Sequence, residues 1–243
     1  MSGAATQGGS VAQKTIGAKA VEWIKAGAWA LCIWLLLSTF AVQAYFIPSP
    51  SMERTLMVGD VLFVNKFLYG AKIPLIDGHT PAVREPRRGD IVVFMSPVED
   101  SILVKRLIGV AGDTVAMRAG VLFRNSERLV EPHAQSLEPE WQLDSTTRMA
   151  MRAMQLPHYV GVAPESYLPD VHEWGPLVVP TDSLWMMGDN RDHSRDSRFW
   201  GLVPRKNVRG TPILIYYSYD AASYRPLPFI SAIRWNRLLS APD

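Results

Sequence analysis

Two serines one residue apart, Ser49 and Ser51, are interleaved with prolines in the run Pro48-Ser49-Pro50-Ser51-Met52-Glu53-Arg54-Thr55. Pro48 and Pro50 push Ile47 and Ser49 out of the helical region toward extended backbone. In extended chain, residues two apart share a face, so both hydroxyls point the same way, one able to act as nucleophile and the other as helper. Taken alone, the run also reads as a turn with no chemistry. A second candidate is Lys105, flanked by apolar residues in Leu103-Val104-Lys105-Arg106-Leu107. Facing outward it is an ordinary surface lysine; facing inward it is strongly desolvated. A third segment, Gly188-Asp189-Asn190-Arg191-Asp192-His193-Ser194-Arg195-Asp196-Ser197-Arg198, is dense in turn formers and charges and by itself reads as a solvated loop.

Acyl transfer on a peptide needs a nucleophile, a base that takes its proton, and donors for the oxyanion. No Ser-His-Asp set is evident, because His79, His133, His158, His172 and His193 are scattered. No His-Glu-x-x-His or Cys-x-x-Cys pattern points to a metal, and neither metal nor cofactor is expected. Lys105 is then the best candidate base, provided that it is neutral when it acts. Lowering a lysine from about 10.4 to about 8 costs roughly 3.3 kcal/mol of differential solvation. Leu103, Val104 and Leu107 are suited to impose that cost.

Together the three segments resemble bacterial type I signal peptidases, the membrane-anchored Ser/Lys endopeptidases that remove signal peptides from exported proteins. The serine box (47–56), the lysine box (103–113) and the Gly-Asp-Asn-Arg-Asp box (188–201) stand in the family's order, with residues 89–94 fitting between them. The resemblance implies Ser51 as nucleophile, Lys105 as general base, and the Ser51 backbone N–H with the Ser49 hydroxyl as oxyanion donors. It also places Ser194 beside the lysine amine, and makes Asp189, Arg191, Asp196 and Arg198 an ion network that Arg106 joins. By the same resemblance, shallow pockets for small residues at positions −1 and −3 draw on Tyr45, Ile47, Leu56, Leu62, Val93, Leu103 and Val104. Without it, these seven read as core. Preprotein signal peptides are the implied substrate, with membrane lipid and the export translocon as partners, at the outer face of the bacterial inner membrane. Two departures from the family pattern are Arg54, where proline is frequent, and His193, where asparagine is common. The cysteine pair carried by many members is absent: Cys32 is the single cysteine.

The elements that must position these groups follow from the hydropathy pattern. Residues 26–47 carry no charge, and 22 helical residues would span about 33 Å, the thickness of a hydrocarbon core. The expectation is a cytoplasmic tail (1–25), a single transmembrane helix (26–47), and a mainly β, partly barrel-like catalytic domain (48–124 and 181–243) interrupted by a smaller subdomain (125–180). The insert is marked by its composition: eight Asp/Glu against three Arg and no Lys. Short β-rich runs broken by Gly, Pro and Asp, such as 61–64, 91–94 and 103–110, support the β assignment, and 145–156 reads as a helix. The stretch 226–239 reads either as an interfacial segment or as a strand and tail. A net charge of +2 with no basic stripe excludes nucleic acid as an expected partner. Alternatives are a cleavable leader ending at Val42-Gln43-Ala44, a peptidase dedicated to one partner, a catalytically dead membrane-anchored binding module, and a soluble self-cleaving repressor, which the apolar run disfavours.

Overall fold

A computed structural model describes residues 16–36, 42–70, 78, 80–136 and 143–242. The chain forms two compact units, Met1–Thr39 and Phe40–Asp243. In the first lies α1 (Ile16–Leu36), whose Trp23, Ile24, Trp29 and Trp34 are exposed. Lys19, Glu22 and Lys25 interrupt its apolar sequence, and among the described residues no helix is long and apolar enough to cross a membrane. The expected helix over 26–47 is corrected at both ends. Helix begins at Ile16, and Val42–Phe46 forms a strand, β1, because Val, Tyr and Phe suit a pleated edge and β2 supplies ladder partners. Residues 1–15 of the expected tail lie outside the described residues.

In the second unit the strands run β1, β2 (Asp60–Asn65), β3 (Ile91–Met95) and β4 (Ile102–Gly109). Then come β5 (Thr114–Arg118), β6 (Val121–Arg124), β7 (Glu127–Arg128) and β8 (Trp174–Val178), followed by β9 (Ser183–Met187), β10 (Val203–Pro204) and β11 (Val208–Ser218). Antiparallel pairing builds a seven-stranded sheet in the order β1-β2-β11-β3-β4-β9-β10 and a four-stranded one in the order β7-β6-β5-β8. The strand β11 is the joint of the larger sheet. Its first residues pair with β3, the rest pair with β2, and register shifts beside Pro212 and after Ile215 bend it between the two.

The second sheet begins at Thr114, earlier than the expected boundary at residue 125. A two-residue hairpin ties β5 to β6: Ala119 (φ 48°) and Gly120 (φ 76°) both take the left-handed region that a primed turn demands. Beside this sheet lies α2 (Ser145–Gln155), capped by the Asp144 carboxylate, which accepts from the N–H groups of Thr146 and Thr147. Met151 of α2 is buried with Leu143, Val171, Trp174 and Trp185, the two indoles lying 5.0 Å apart. A separate apolar cluster of Met52, Leu56, Leu62, Val64, Ile91, Val93 and Ile215 underlies the Ser49–Ser51 segment.

The stretch 226–239 is neither a strand nor free of the sheet. It forms a short helix, α3 (Pro228–Ser231), and a 3-10 turn (Trp235–Arg237), leaving Leu227, Phe229, Ile230, Trp235 and Leu239 exposed. Its arginines turn inward. Arg234 donates to the Val58 carbonyl (2.8 Å), and Arg237 pairs with buried Asp60 (2.6 Å) and donates to the Thr55 carbonyl (2.9 Å). The loop after Ser51 is thereby fastened from the C-terminal side. For the inserted sheet, Trp174→Ala should cost about 3–5 kcal/mol, read as a lower denaturation midpoint, because it empties a fully buried indole site.

Candidate active site

Ser49 is extended (φ −130°, ψ 153°) and leads into a 3-10 turn, Pro50–Met52, with Pro50 at its start, where a missing N–H costs nothing. The turn's first N–H groups, including that of Ser51, have no acceptor within it. Leu56 N–H donates back to the Met52 carbonyl (2.7 Å), closing the following turn over the apolar cluster. Ser51 is thereby held 7% exposed, with its hydroxyl turned toward β4.

From β4, Lys105 reaches across to it. The Lys105 Nζ donates to Ser51 Oγ at 2.6 Å, and the lysine is 3% exposed. Burial pushes the Lys105 amine down to about 8 from 10.5. Against that, the Asp196 charge pulls it upward, Arg198 pushes it further down, and Asp189 pulls it upward. Ser49 Oγ lies 3.4 Å from Ser51 Oγ.

The two carboxylates nearest the lysine are committed to arginines. Arg106 grips Asp189 with two parallel bonds of 2.8 and 2.7 Å, and Thr55 Oγ1 donates to the same carboxylate at 2.5 Å. Arg198 grips Asp196 in the same way, both bonds 2.9 Å. Burial acts to raise the Asp196 carboxyl, but the Arg198 charge and hydrogen bonds, with the Gly188 N–H, hold it below the usual range. Such forked pairs satisfy most of the lone pairs of a buried carboxylate, the condition for keeping one ionised out of water.

The expected network is thus two separate pairs rather than one. Arg191 belongs to neither: it pairs with Glu131 through bonds of 2.9 and 2.6 Å and donates to the Gly188 carbonyl (3.0 Å). Glu131 and Thr55 were not anticipated. Glu131 is one of eight acids in the insert with no pattern to single it out, and Thr55 is one more hydroxyl in a turn-rich loop.

Ser194 is buried, but no hydrogen bond joins it to Lys105. Its hydroxyl lacks a partner of good geometry, lying near enough to Asp196 to help keep that carboxylate ionised, and it packs on Gly188. A Cβ at Gly188 would collide with both the Ser194 hydroxyl and the Ser51 carbonyl, so glycine alone lets the two loops close. The Asn190 N–H then donates to the Ser51 carbonyl (3.2 Å).

Beside Ser51 and Lys105 opens a cleft of about 70 Å³, lined by Tyr45, Phe46, Ile47, Pro48, Met52, Ile102, Leu103 and Val104. Four expected pocket residues therefore line it: Tyr45, Ile47, Leu103 and Val104. Leu56, Leu62 and Val93 do not: Leu62 stands directly opposite Tyr45 and Val93 directly opposite Val104, on the same faces, but all three are completely buried in the cluster against which Tyr45 and Val104 pack. Among the described residues, no group of His, Cys, Asp or Glu could hold a metal ion.

A buried serine hydroxyl bonded to a lysine amine that burial brings near neutrality, next to a small apolar cleft, has the makings of a Ser/Lys hydrolase. A family model described as signal peptidase, peptidase S26, matches residues 20–217. Signal peptidase I of Pseudomonas aeruginosa is 35% identical over 227 residues, covering 88% of this chain and 78% of that protein. Signal peptidase I of Leptolyngbya laminosa is 32% identical, covering 81% of this chain and 79% of that protein, and that of Aquifex aeolicus is 32% identical, covering 79% and 82%. The chain belongs to the signal peptidase, peptidase S26, family and is a serine endopeptidase of the signal peptidase I type.

The depressed lysine carries a stability signature. Between about 8 and 10.5 the unfolded chain holds a proton that the folded chain does not, so stability rises with pH across that window. Below about 8 the full penalty, about 3 kcal/mol, is present. Lys105→Met should therefore be the more stable protein near neutrality, and its advantage over wild type should shrink as pH climbs toward 10.5, measured by denaturant unfolding at a series of pH values.

Proposed function

We propose that this protein removes N-terminal signal peptides from exported preproteins, with Ser51 as nucleophile and Lys105 as general base. The observation that carries this reading is the buried 2.6 Å contact between Lys105 Nζ and Ser51 Oγ at the edge of the cleft. Neutral Lys105 takes the hydroxyl proton as Ser51 Oγ attacks the scissile carbonyl. The Ser51 N–H and the Ser49 hydroxyl donate to the oxyanion. Collapse of the tetrahedral intermediate breaks the C–N bond. Lys105 passes its proton to the departing amine, the new N-terminus of the mature chain. Water then attacks the acyl-enzyme with Lys105 again as base, releasing the signal peptide.

Substrate geometry follows from the sheet. β9 pairs with β4 only from Arg106 onward, so residues 102–105 are bonded to β3 on one side and present an open edge on the other, beside the cleft. An extended peptide can add there as a further strand. Alternate side chains then point into a cavity of about 70 Å³, which favours small residues near the scissile bond.

Membrane attachment is part of the proposal, with the catalytic unit on the outer side of the bacterial inner membrane. It is supported by the uncharged sequence 26–47 and the exposed tryptophans of α1. Because Val42–Phe46 is sheet, the attached portion must lie ahead of Val42. Lipid, and the export translocon that delivers preproteins, are the corresponding partners. Fractionation should place the full chain in the inner membrane, extractable by detergent but not by high salt or alkali; recovery in the soluble fraction would contradict the attachment.

Incubation of the full chain in detergent with a preprotein tests the chemistry. Ser51→Ala and Lys105→Ala should each abolish cleavage with the fold intact, while Ser49→Ala should lose roughly 2.7–4 kcal/mol of transition-state stabilisation. The wild-type rate should rise with pH through about 8, as Lys105 becomes neutral. Cleavage by Lys105→Ala at the wild-type rate would remove the lysine from the mechanism.

A further inference from the structure

We infer that Gln155, together with Tyr167, is a positioning residue for the reaction: the inserted sheet and its helix hold residues 188–198 in the geometry that keeps water from Lys105. The inference rests on the proposed Ser51–Lys105 chemistry and assigns the insert a mechanical part in it.

Gln155 ends α2 and is completely buried. A buried amide has four hydrogen-bonding valences to satisfy, so its partners are informative. Its Oε1 accepts from the Tyr167 hydroxyl, and that hydroxyl accepts from the Gly175 N–H of β8 at 2.8 Å. Its Nε2 donates to the backbone carbonyl of Arg198 at 2.9 Å. Arg198 clasps Asp196, Asp196 accepts from the Gly188 N–H (3.1 Å), and Gly188 closes against the Ser51 carbonyl. A chain of buried polar contacts therefore runs from β8 of the inserted sheet to Gly188, and two residues further on the Asn190 N–H donates to the Ser51 carbonyl (3.2 Å).

Other contacts run in parallel. Gln135 exchanges backbone bonds with the loop, its N–H donating to the Asp189 carbonyl (2.8 Å) and its carbonyl accepting from Arg191 N–H (2.9 Å). Ser136 Oγ donates to Asp192 (2.9 Å), and Glu131 pairs with Arg191. The loop is thus stitched to the insert at Asp189, Arg191, Asp192 and Arg198. The charged groups that face Lys105 are Asp189, Asp196 and Arg198, all carried by this loop. Slackening the stitches would admit water to the lysine, and a rehydrated lysine holds its proton to higher pH.

A purely structural brace would lower activity only in step with the folded fraction measured at each pH, whereas a positioning brace moves the acid limb of the protein that is folded. The experiment uses the full chain in detergent and compares wild type, Gln155→Leu, Tyr167→Phe and Glu131→Gln for preprotein cleavage from about pH 6 to about pH 10, with thermal unfolding of each. Tyr167→Phe deletes one hydroxyl with its two bonds and Glu131→Gln deletes one charge, each keeping the shape of the side chain, so they report even if Gln155→Leu does not fold. The expected result is a kcat lowered roughly tenfold near neutrality with KM unchanged, an acid limb moved to higher pH, and partial recovery at alkaline pH. A wild-type acid limb in the folded variants, or a loss accounted for at every pH by the unfolded fraction, would overturn the inference. Acylation of Ser51 by a serine-directed reagent is measured on the same samples. If wild type acylates but leaves the preprotein intact, signal-peptide processing fails as a reading, and the brace is still judged by the acylation rates.

Discussion

A lysine can serve as a base near neutrality only if it is buried without a carboxylate free to claim it, and the rest of this structure depends on that constraint. Lys105 lies within electrostatic reach of Asp189 and Asp196, each of which favours its protonated form. Either, left unpaired in a low-dielectric site, would turn the lysine into half of a salt bridge and remove the base. Arg106 and Arg198 prevent this with forked, buried grips, leaving Ser51 Oγ as the hydrogen-bonding partner of the amine. The arginines therefore keep the lysine's proton loosely held as much as they hold the loops.

Those grips require two loops to meet at van der Waals distance, and backbone chemistry allows it. Gly188 offers no Cβ, so Ser194 and the Ser51 carbonyl can both approach it, and the Asn190 N–H completes the seam. From the other side, Arg237 fixes the Thr55 carbonyl while Thr55 Oγ1 reaches Asp189. The Ser51 loop is held between the C-terminal segment and the charged loop, and the charged loop is held in turn by the inserted sheet. Rigidity at this level is what the proposed joint action of the Ser51 hydroxyl and the Lys105 amine requires.

The larger sheet leaves an open edge where the proposed chemistry would take its substrate. Because β9 stops at Met187, opposite Arg106, the next residue toward the start of β4 is Lys105, and residues 102–105 keep a free edge beside the cleft. One strand position thus separates the half of β4 that carries structural ion pairing from the half available to a peptide. A bare edge is a hazard in most sheets, and here it coincides with the place where an extended substrate would be bound.

The sequence by itself determined the chemical inventory and several strands. The Pro-Ser-Pro-Ser spacing, the lysine in an apolar run and the Gly-Asp-Asn-Arg-Asp cluster are local patterns, and local pattern also marked β2, β3, β4 and α2 to within a residue or so. What it could not settle was anything decided by partners distant in the chain. An uncharged run is compatible with a helix or an edge strand, and only pairing with β2 made Val42–Phe46 a strand. Leu56, Leu62 and Val93 are the right type for a pocket, yet Tyr45 and Val104, the cross-strand partners of Leu62 and Val93, pack against the cluster that buries all three. The matching of charges was equally hidden: Arg191 chose Glu131, 60 positions away, and left Asp189 to Arg106 and Asp196 to Arg198. Residue type fixes which groups can ionise, donate or attack, whereas burial and mutual distance, which arise only when the sheets close, decide which of them stay neutral and which are paired.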